Sequence, residues 1–129
     1  MRISLRIFLV LAMLIAAANA AFGQTRIKFK RGATSAIVTG RLKNYKSTRS
    51  FVVRVRKGQT LTTSNVGKSF ITVYVEAPPG STYEDDLAAD CHDKHEVTPT
   101  VAGDYTINVN ECLKADPWRG SFKVKVEVR

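Results

Sequence analysis

The clearest pattern in the sequence is the run Gly103-Asp104-Tyr105-Thr106-Ile107-Asn108-Val109-Asn110. After the Gly-Asp turn, apolar and polar residues alternate strictly, and the apolar positions carry aromatic or β-branched side chains. Successive side chains of a β-strand point to opposite faces of a sheet. The alternation therefore predicts a strand with one buried and one wet face.

The same period of two recurs on both sides of this strand. Alternating runs lie at residues 27–29, 36–42, 51–55, 71–75 and 122–128, and Leu61 anchors a further short strand. Turn-forming Gly, Pro and Asp residues separate these runs, and no segment keeps a helical period. Six to eight short strands with one polar face each indicate an antiparallel β-sandwich or a small barrel.

The N-terminal residues 1–20 have the form of a signal peptide. Two arginines precede an apolar run from Ile7 to Ala18, and Ala18-Asn19-Ala20 fits the small-x-small cleavage pattern. Cleavage after Gly23 is the second possible site, and an uncleaved membrane anchor is the alternative interpretation. We expect a periplasmic or secreted protein whose single domain, residues 21–129, does not span the membrane after cleavage.

Export also decides how the two cysteines are interpreted. Cys91 and Cys112 are the only cysteines in the chain. In an oxidising compartment an even number of cysteines usually forms disulfides. We therefore predict one Cys91–Cys112 bridge.

Charge is spread unevenly along the chain. The 129 residues include 20 Lys and Arg against 11 Asp and Glu, a net charge of +9. Residues 21–75 hold twelve of these cations and no acid. Such a region attracts polyanions, and export makes nucleic acid an implausible partner, which leaves anionic glycan, lipid or an acidic protein. The alternative is that the charges only keep the sheet soluble and protect its edges. The candidate anionic-ligand residues, several around a predicted hairpin turn at Asn44-Tyr45, are Arg41, Lys43, Lys46, Arg49, Arg54 and Arg56.

The segment from residue 84 to residue 96 is the richest in potential chemistry. It holds most of the acids and both histidines. A disulfide-bonded cysteine cannot be a thiolate ligand, and neither a zinc-finger nor an EF-hand spacing is present, so we predict no metal site and keep calcium binding as an alternative. A solvated acidic loop that pairs with the basic half is another interpretation.

Trp118 beside Arg119 is either a partner anchor or a cap on the core. The candidate partner-binding residues are Glu84, Asp85, Asp86, Asp90, His92, Asp93, His95, Trp118 and Arg119.

Signatures of catalysis are missing from the sequence. No serine lies in a Gly-x-Ser-x-Gly elbow, no phosphate-binding glycine loop is present, and no activated nucleophile can be identified. We therefore predict a protein that is not an enzyme and needs no cofactor.

Several motifs together resemble a known family. Residues 29–40 lead to Gly58-Gln59-Thr60-Leu61, then to Ala77-Pro78-Pro79-Gly80 and finally to Gly103-Asp104-Tyr105. This order resembles the bacterial periplasmic inhibitors of goose-type lysozyme and, more broadly, the pre-peptidase C-terminal β-sandwich. The resemblance covers residues 28–110. It implies an all-β fold, an antiparallel β-sandwich of about seven to eight short strands, here with one disulfide.

The resemblance also implies a partner and a docking region. In the inhibitors, the functional surface lies between the proline-rich turn and the Gly-Asp-Tyr strand, which corresponds to residues 81–99 here. The mature charge of +7 disfavours approach to a cationic lysozyme unless the acidic segment makes the contact. We expect an exported, non-enzymatic binding module that inhibits a cell-wall lytic enzyme. The alternatives are a module that binds anionic glycan or cell wall through the basic half, and a calcium-dependent pre-peptidase-like module.

Overall fold

The computed structural model describes residues 24–44, 47–85, 91, 94–113 and 119–129. Within these ranges the chain forms eight strands and no helix, so none of the described residues belongs to a helix that could cross a membrane. The strands are β1 (Thr25–Arg26), β2 (Ser35–Leu42), β3 (Arg49–Val55), β4 (Leu61–Asn65), β5 (Ile71–Glu76), β6 (Lys94–Val97), β7 (Gly103–Glu111) and β8 (Gly120–Val128).

The strands form two four-stranded sheets. The first sheet has the order β1-β3-β7-β5 and the second has the order β2-β8-β4-β6. Every pairing is antiparallel except the short parallel contact between β1 and β3. The predicted antiparallel β-sandwich of seven to eight strands is confirmed.

The core lies between the sheets and consists of the alternating apolar residues that the sequence singled out. Tyr105, Ile107 and Val109 of β7 have no exposed surface. The apolar residues of β3, β5 and β8 are buried in the same way, and the polar residues that alternate with them are more exposed. Phe51 and Phe122 meet across the two sheets, edge to face, with ring centroids 6.2 Å apart. Such a geometry places the positive edge of one ring against the negative face of the other.

One glycine in β2 is required by this packing. Gly40 pairs with Phe122 of β8, and a β-carbon at Gly40 would lie 2.6 Å from the Cζ atom of that ring. The missing side chain therefore makes room for the Phe122 ring at the sheet–sheet interface.

The predicted hairpin at Asn44-Tyr45 is wrong. β2 pairs with β8 in the second sheet, whereas β3 pairs with β1 and β7 in the first sheet. Residues 43–48 therefore carry the chain from one sheet to the other. Alternation shows which face of a strand is buried, but it does not identify the neighbouring strand, and here the neighbours come from distant parts of the sequence.

Strand β6 lies inside the segment that the sequence presented as an acidic loop. It pairs with β4, and it buries His95 and Val97 while Lys94 and Glu96 face the solvent. Four residues with three polar side chains carry too little apolar pattern to predict a strand. The strand forms because its backbone groups pair with those of β4. This pairing cannot be predicted from the sequence of β6.

The predicted disulfide between Cys91 and Cys112 is confirmed, with Cα atoms 4.7 Å apart. Both cysteines are also fixed to the beginning of β5. The Cys91 N–H donates to the Thr72 hydroxyl over 2.8 Å, and the Cys112 N–H donates to the Phe70 carbonyl over 3.1 Å. The bridge thus ties the segment before β6 to the end of β7.

Candidate functional site

Three connections meet at one end of the sandwich, which we call the loop end. They are residues 56–60 between β3 and β4, residues 77–83 after β5, and residues 98–102 between β6 and β7. Together they enclose an open cleft of about 480 Å³. The cleft is lined by Lys57, Gly58, Gly80, Ser81, Thr82, Tyr83, Glu96, Val97, Thr98, Pro99, Thr100 and Val101.

Thr100 holds two of these connections together. Its hydroxyl donates to the Arg56 carbonyl over 2.7 Å and accepts from the Gln59 N–H over 3.0 Å. Its backbone adds two hydrogen bonds of 2.8 Å, one to Gly58 and one to Gln59. Because Thr100 is only 2% exposed, these groups would have no water to replace it.

Further hydrogen bonds involve Thr98, which lines the cleft, and the neighbouring Thr60. The hydroxyls of Thr60 and Thr98 share a bond of 2.8 Å, and Thr60 exchanges two backbone bonds with Arg129 at the end of β8. Gly58 supplies a left-handed backbone with φ 81° at the tip of the β3–β4 turn, a conformation that glycine adopts without steric cost. The loop end is therefore ordered before any partner arrives, which lowers the entropy that binding must spend on it.

The residues at the rim of the cleft include charges of both signs and the partly buried phenol of Tyr83. Lys57 is exposed on the β3–β4 connection and Glu96 is exposed on strand β6. Burial raises the pKa of Tyr83 to about 12, and the charge of the neighbouring Asp85 carboxylate and a hydrogen bond to it add to the shift. Tyr83 is thus a neutral hydrogen-bonding group at every physiological pH.

Asp85 and His95 form a buried pair beside the loop end. The Asp85 Oδ1 atom lies 3.1 Å from His95 Nδ1, and the two side chains are 5% and 3% exposed. Asp85 Oδ2 accepts the Val75 N–H over 2.6 Å, and His95 Nε2 faces the Val73 carbonyl. Because β5 and β6 belong to different sheets, the pair joins the two sheets along one open side of the sandwich.

This arrangement differs from a catalytic dyad. In a nucleophilic triad, the imidazole nitrogen that faces away from the carboxylate activates a hydroxyl or thiol. Here His95 Nε2 faces a backbone carbonyl, which only accepts hydrogen bonds. Both ring nitrogens thus face oxygen acceptors, so the imidazole is held between Asp85 and the Val73 carbonyl and faces no hydroxyl or thiol.

The structure also bears on the calcium alternative. Both Asp85 oxygens are engaged by His95 and Val75, so this carboxylate has no oxygen turned outward for an ion. In the part of the chain that the structure describes, no group of three or more His, Cys, Asp or Glu side chains is placed to hold a metal. Asp86, Asp90 and Asp93 lie outside the described residues.

Of the predicted partner-binding residues, the four that the structure describes lie in different places. Glu84 is exposed, whereas Asp85 and His95 are inside the protein. Arg119 is exposed just before β8, at the opposite end of the sandwich, where residues 112–119 join β7 to β8. Outside the described residues lie Asp86, Asp90, His92, Asp93 and Trp118.

The predicted anionic-ligand residues are divided between two faces and two ends. Arg41 is on the outer face of the second sheet and Arg54 on the outer face of the first. Arg56 is at the loop end, while Lys43 and Arg49 are at the other end. Lys46 lies outside the described residues.

The outer face of the first sheet also contains an acid that the sequence analysis did not single out. Asp104 accepts two hydrogen bonds from the Arg26 guanidinium, at 3.1 and 3.0 Å, and lies 4.0 Å from Arg54. The hydrogen bonds from Arg26 hold the pKa of Asp104 below its usual range. Arg54 therefore has a neighbouring counter-charge, which weakens it as a site for an external anion.

Sequence reasoning missed Thr100 and the cleft. Nothing in the order of residues links Thr100 to Arg56 and Gln59, because the contacts span more than forty positions.

Comparison with known proteins identifies the fold. The chain superposes with a TM-score of 0.65 on a periplasmic inhibitor of g-type lysozyme (PliG) from Aeromonas hydrophila, covering 82% of this chain and 96% of that chain at 20% identity. This is the fold of the PliG inhibitors. PliG from Salmonella Typhimurium gives a TM-score of 0.58, with 18% identity and coverage of 83% and 99%.

The structural likeness confirms the resemblance seen in the sequence. A pre-peptidase C-terminal domain of a Bacillus anthracis collagenase also matches, with a TM-score of 0.48, 15% identity and coverage of 83% and 95%. No protein-family model matches the sequence, and no curated protein matches it significantly. The PliG proteins are inhibitors rather than enzymes.

Proposed function

We propose that this protein is an exported, non-enzymatic inhibitor of a cell-wall lytic enzyme of the g-type lysozyme class. The observation that carries the proposal is the extent of the match to the Aeromonas PliG inhibitor, 96% of whose chain is covered. The likeness therefore extends over most of both chains rather than a shared fragment. Fold alone does not fix function, so the proposal rests also on the character of the loop end.

The loop end has the properties of a preformed protein-binding surface. Its connections are fixed by short hydrogen bonds around Thr100. Next to it, the Asp85–His95 pair connects Asp85 with strands β5 and β6 of the two sheets. A rigid surface of this kind keeps the cost of binding low.

Two exposed acids near the loop end can contact a basic partner. Among the described residues of the segment 81–96, the exposed acids are Glu84 and Glu96. They can approach a cationic lysozyme although the chain as a whole is positively charged, because local complementarity steers association. Asp85 and His95 act in this proposal as positioning residues that hold the segment in place.

The proposal includes export through residues 1–20. Mass spectrometry of the protein recovered from a periplasmic fraction tests this part. We expect an N-terminus at Ala21, or at Gln24 if the second site is used. Recovery of the uncleaved chain in the membrane fraction would contradict it.

The inhibitor proposal is tested by titrating the protein into a cell-wall lysis assay with g-type lysozyme. We expect lysis to fall in proportion to added protein and to stop near a one-to-one ratio, while a hen-type lysozyme run in parallel is unaffected. Full lysis at a large excess of folded, oxidised protein would remove the proposal.

A second set of variants tests the docking surface. Glu84→Gln and Glu96→Gln, made one at a time, should each weaken inhibition by about threefold or more. The matched control is Glu76→Gln, which removes an exposed acid from the edge strand β5 on the first sheet and should leave inhibition unchanged. Equal effects of all three changes would show that net charge, rather than this surface, governs binding.

A further inference from the structure

The outer face of the second sheet gathers cations that are far apart in sequence. Strand register places Ile37, Lys125, Ser64 and Lys94 side by side across all four strands. Lys123 lies on the same face two residues before Lys125, opposite Thr39. Arg41 follows on β2, opposite Ser121. We call Arg41, Lys94, Lys123 and Lys125 the basic face.

The spacing of these cations follows from sheet geometry. Residues two apart on a strand are separated by about 7 Å, and alternate strands by about 10 Å. Lys123 and Lys125 are therefore about 7 Å apart along β8, and Lys94 lies two strands to the side of Lys125. The residues between the cations on this face are mostly small and hydroxylated, such as Thr39, Ser64 and Ser121.

The acids of this face lie at one edge. Glu127 and Glu96 share the register row of Thr62, nearest the loop end. Glu127 is engaged by Arg129 at 2.9 Å and by Lys125 at 3.9 Å. In the described chain, the rows beyond that edge contain cations and no acid, so the positive potential is greatest over Lys94, Lys123 and Arg41.

We propose that the basic face binds an anionic polysaccharide of the cell envelope that bears phosphate or carboxylate groups at regular intervals. A flat, solvent-exposed surface with separated cations is complementary in charge to an extended polyanion. The same positive charge repels a cationic lysozyme. The proposal goes beyond inhibition and uses residues away from the cleft. It also differs from the patch predicted from sequence, since of those residues only Arg41 belongs to this face.

Two variants of equal charge test the proposal. The first is Lys94→Gln, Lys123→Gln and Lys125→Gln; the control is Lys28→Gln, Lys30→Gln and Arg54→Gln, three exposed cations that lie outside the second sheet. Circular dichroism and thermal melting confirm that both fold. Lysozyme inhibition should be unchanged by Lys123→Gln with Lys125→Gln alone, a pair of changes that lies outside the segment 81–96 and so separates this proposal from the inhibitory function.

The probes are long-chain inorganic polyphosphate and polygalacturonate, with neutral dextran as the blank. We expect wild type and control to bind at least one polyanion at low salt, and the first variant to bind at least tenfold more weakly. Because each cation neutralising a flexible polyanion contributes about 0.7 to the slope of log affinity against log salt, three lost lysines should lower that slope by about two.

The outcomes distinguish the possible sources of the anion. Binding to polyphosphate alone supports a phosphate-bearing polymer, binding to polygalacturonate alone supports a uronate, and binding to both supports the shared chemistry. Equal losses in the two variants would overturn the proposal, because net charge would then explain binding. Absence of binding by the wild type to either polyanion would overturn it as well.

Discussion

The buried Asp85–His95 pair gives the sharpest test of how the two sheets are held together. The side chains of Asp85 and His95 are almost fully buried. Replacing Asp85 by alanine removes the acceptor of the Val75 N–H and the partner of His95 Nδ1. Each buried polar group left without its partner costs about 1–3 kcal/mol, and Val75 N–H and His95 Nδ1 both lose theirs, so we expect a loss of about 4 kcal/mol. With a urea m-value of about 2 kcal/mol/M, the unfolding midpoint should fall by about 2 M.

The isosteric change Asp85→Asn should behave differently. The amide oxygen can still accept from the Val75 N–H, and the amide nitrogen can donate to His95 Nδ1 of a neutral ring that keeps its Nε2 proton for the Val73 carbonyl. All hydrogen bonds of the pair are then still made. We expect a cost of about 1 kcal/mol.

Urea unfolding followed by circular dichroism measures both variants under oxidising conditions, so that the disulfide remains intact. A loss below 1 kcal/mol for Asp85→Ala would show that the pair does not hold the sheets together. An asparagine variant as unstable as the alanine variant would refute the hydrogen-bond accounting and indicate that the charges themselves are essential. An unchanged m-value is needed for either conclusion.

Three further changes test other parts of the structure. Thr100→Val should lower the free energy of unfolding by about 2–3 kcal/mol, because two buried backbone groups lose their partner, whereas Thr98→Val, at an exposed hydroxyl pair, should change it by less than about 0.5 kcal/mol. Gly40→Ala should cost about 1–3 kcal/mol through its clash with the Phe122 ring, and a melting temperature equal to that of wild type would contradict this. The pKa of Tyr83 is raised to about 12 in the folded protein, so its contribution to stability is complete below its usual pKa of about 10 and is lost as pH rises from about 10 to 12. Thermal melts from pH 9 to 12 should show that decline, and Tyr83→Phe should reduce it.

The sequence predicted the buried faces correctly because alternation is a local property. Each core residue of β3, β5, β7 and β8 is recognisable from the two residues on either side of it, and the turn residues mark where each strand ends. The disulfide was also predictable, because the chain has only two cysteines and the predicted export limits their chemistry.

The candidate site was less predictable. The acidic segment presented Asp85 and His95 as surface groups because both residue types are usually exposed. Only the pairing of β6 with β4 and the nearness of β5 turn them inward. Likewise, the six cations near residues 41–56 are adjacent in sequence, but the chain crosses between sheets at residues 43–48 and separates them.

The sequence by itself determined that this chain is an all-β protein with a disulfide, and which side of each principal strand faces the core. The tertiary structure alone decided which strands are neighbours, that Thr100 joins the loops around the cleft, and that Lys94, Lys123 and Lys125 share one face. The physical reason is that side-chain alternation follows from the geometry of a single strand. Backbone hydrogen bonds, in contrast, are chemically the same between any two strands, so the choice of partner depends on how the whole chain packs.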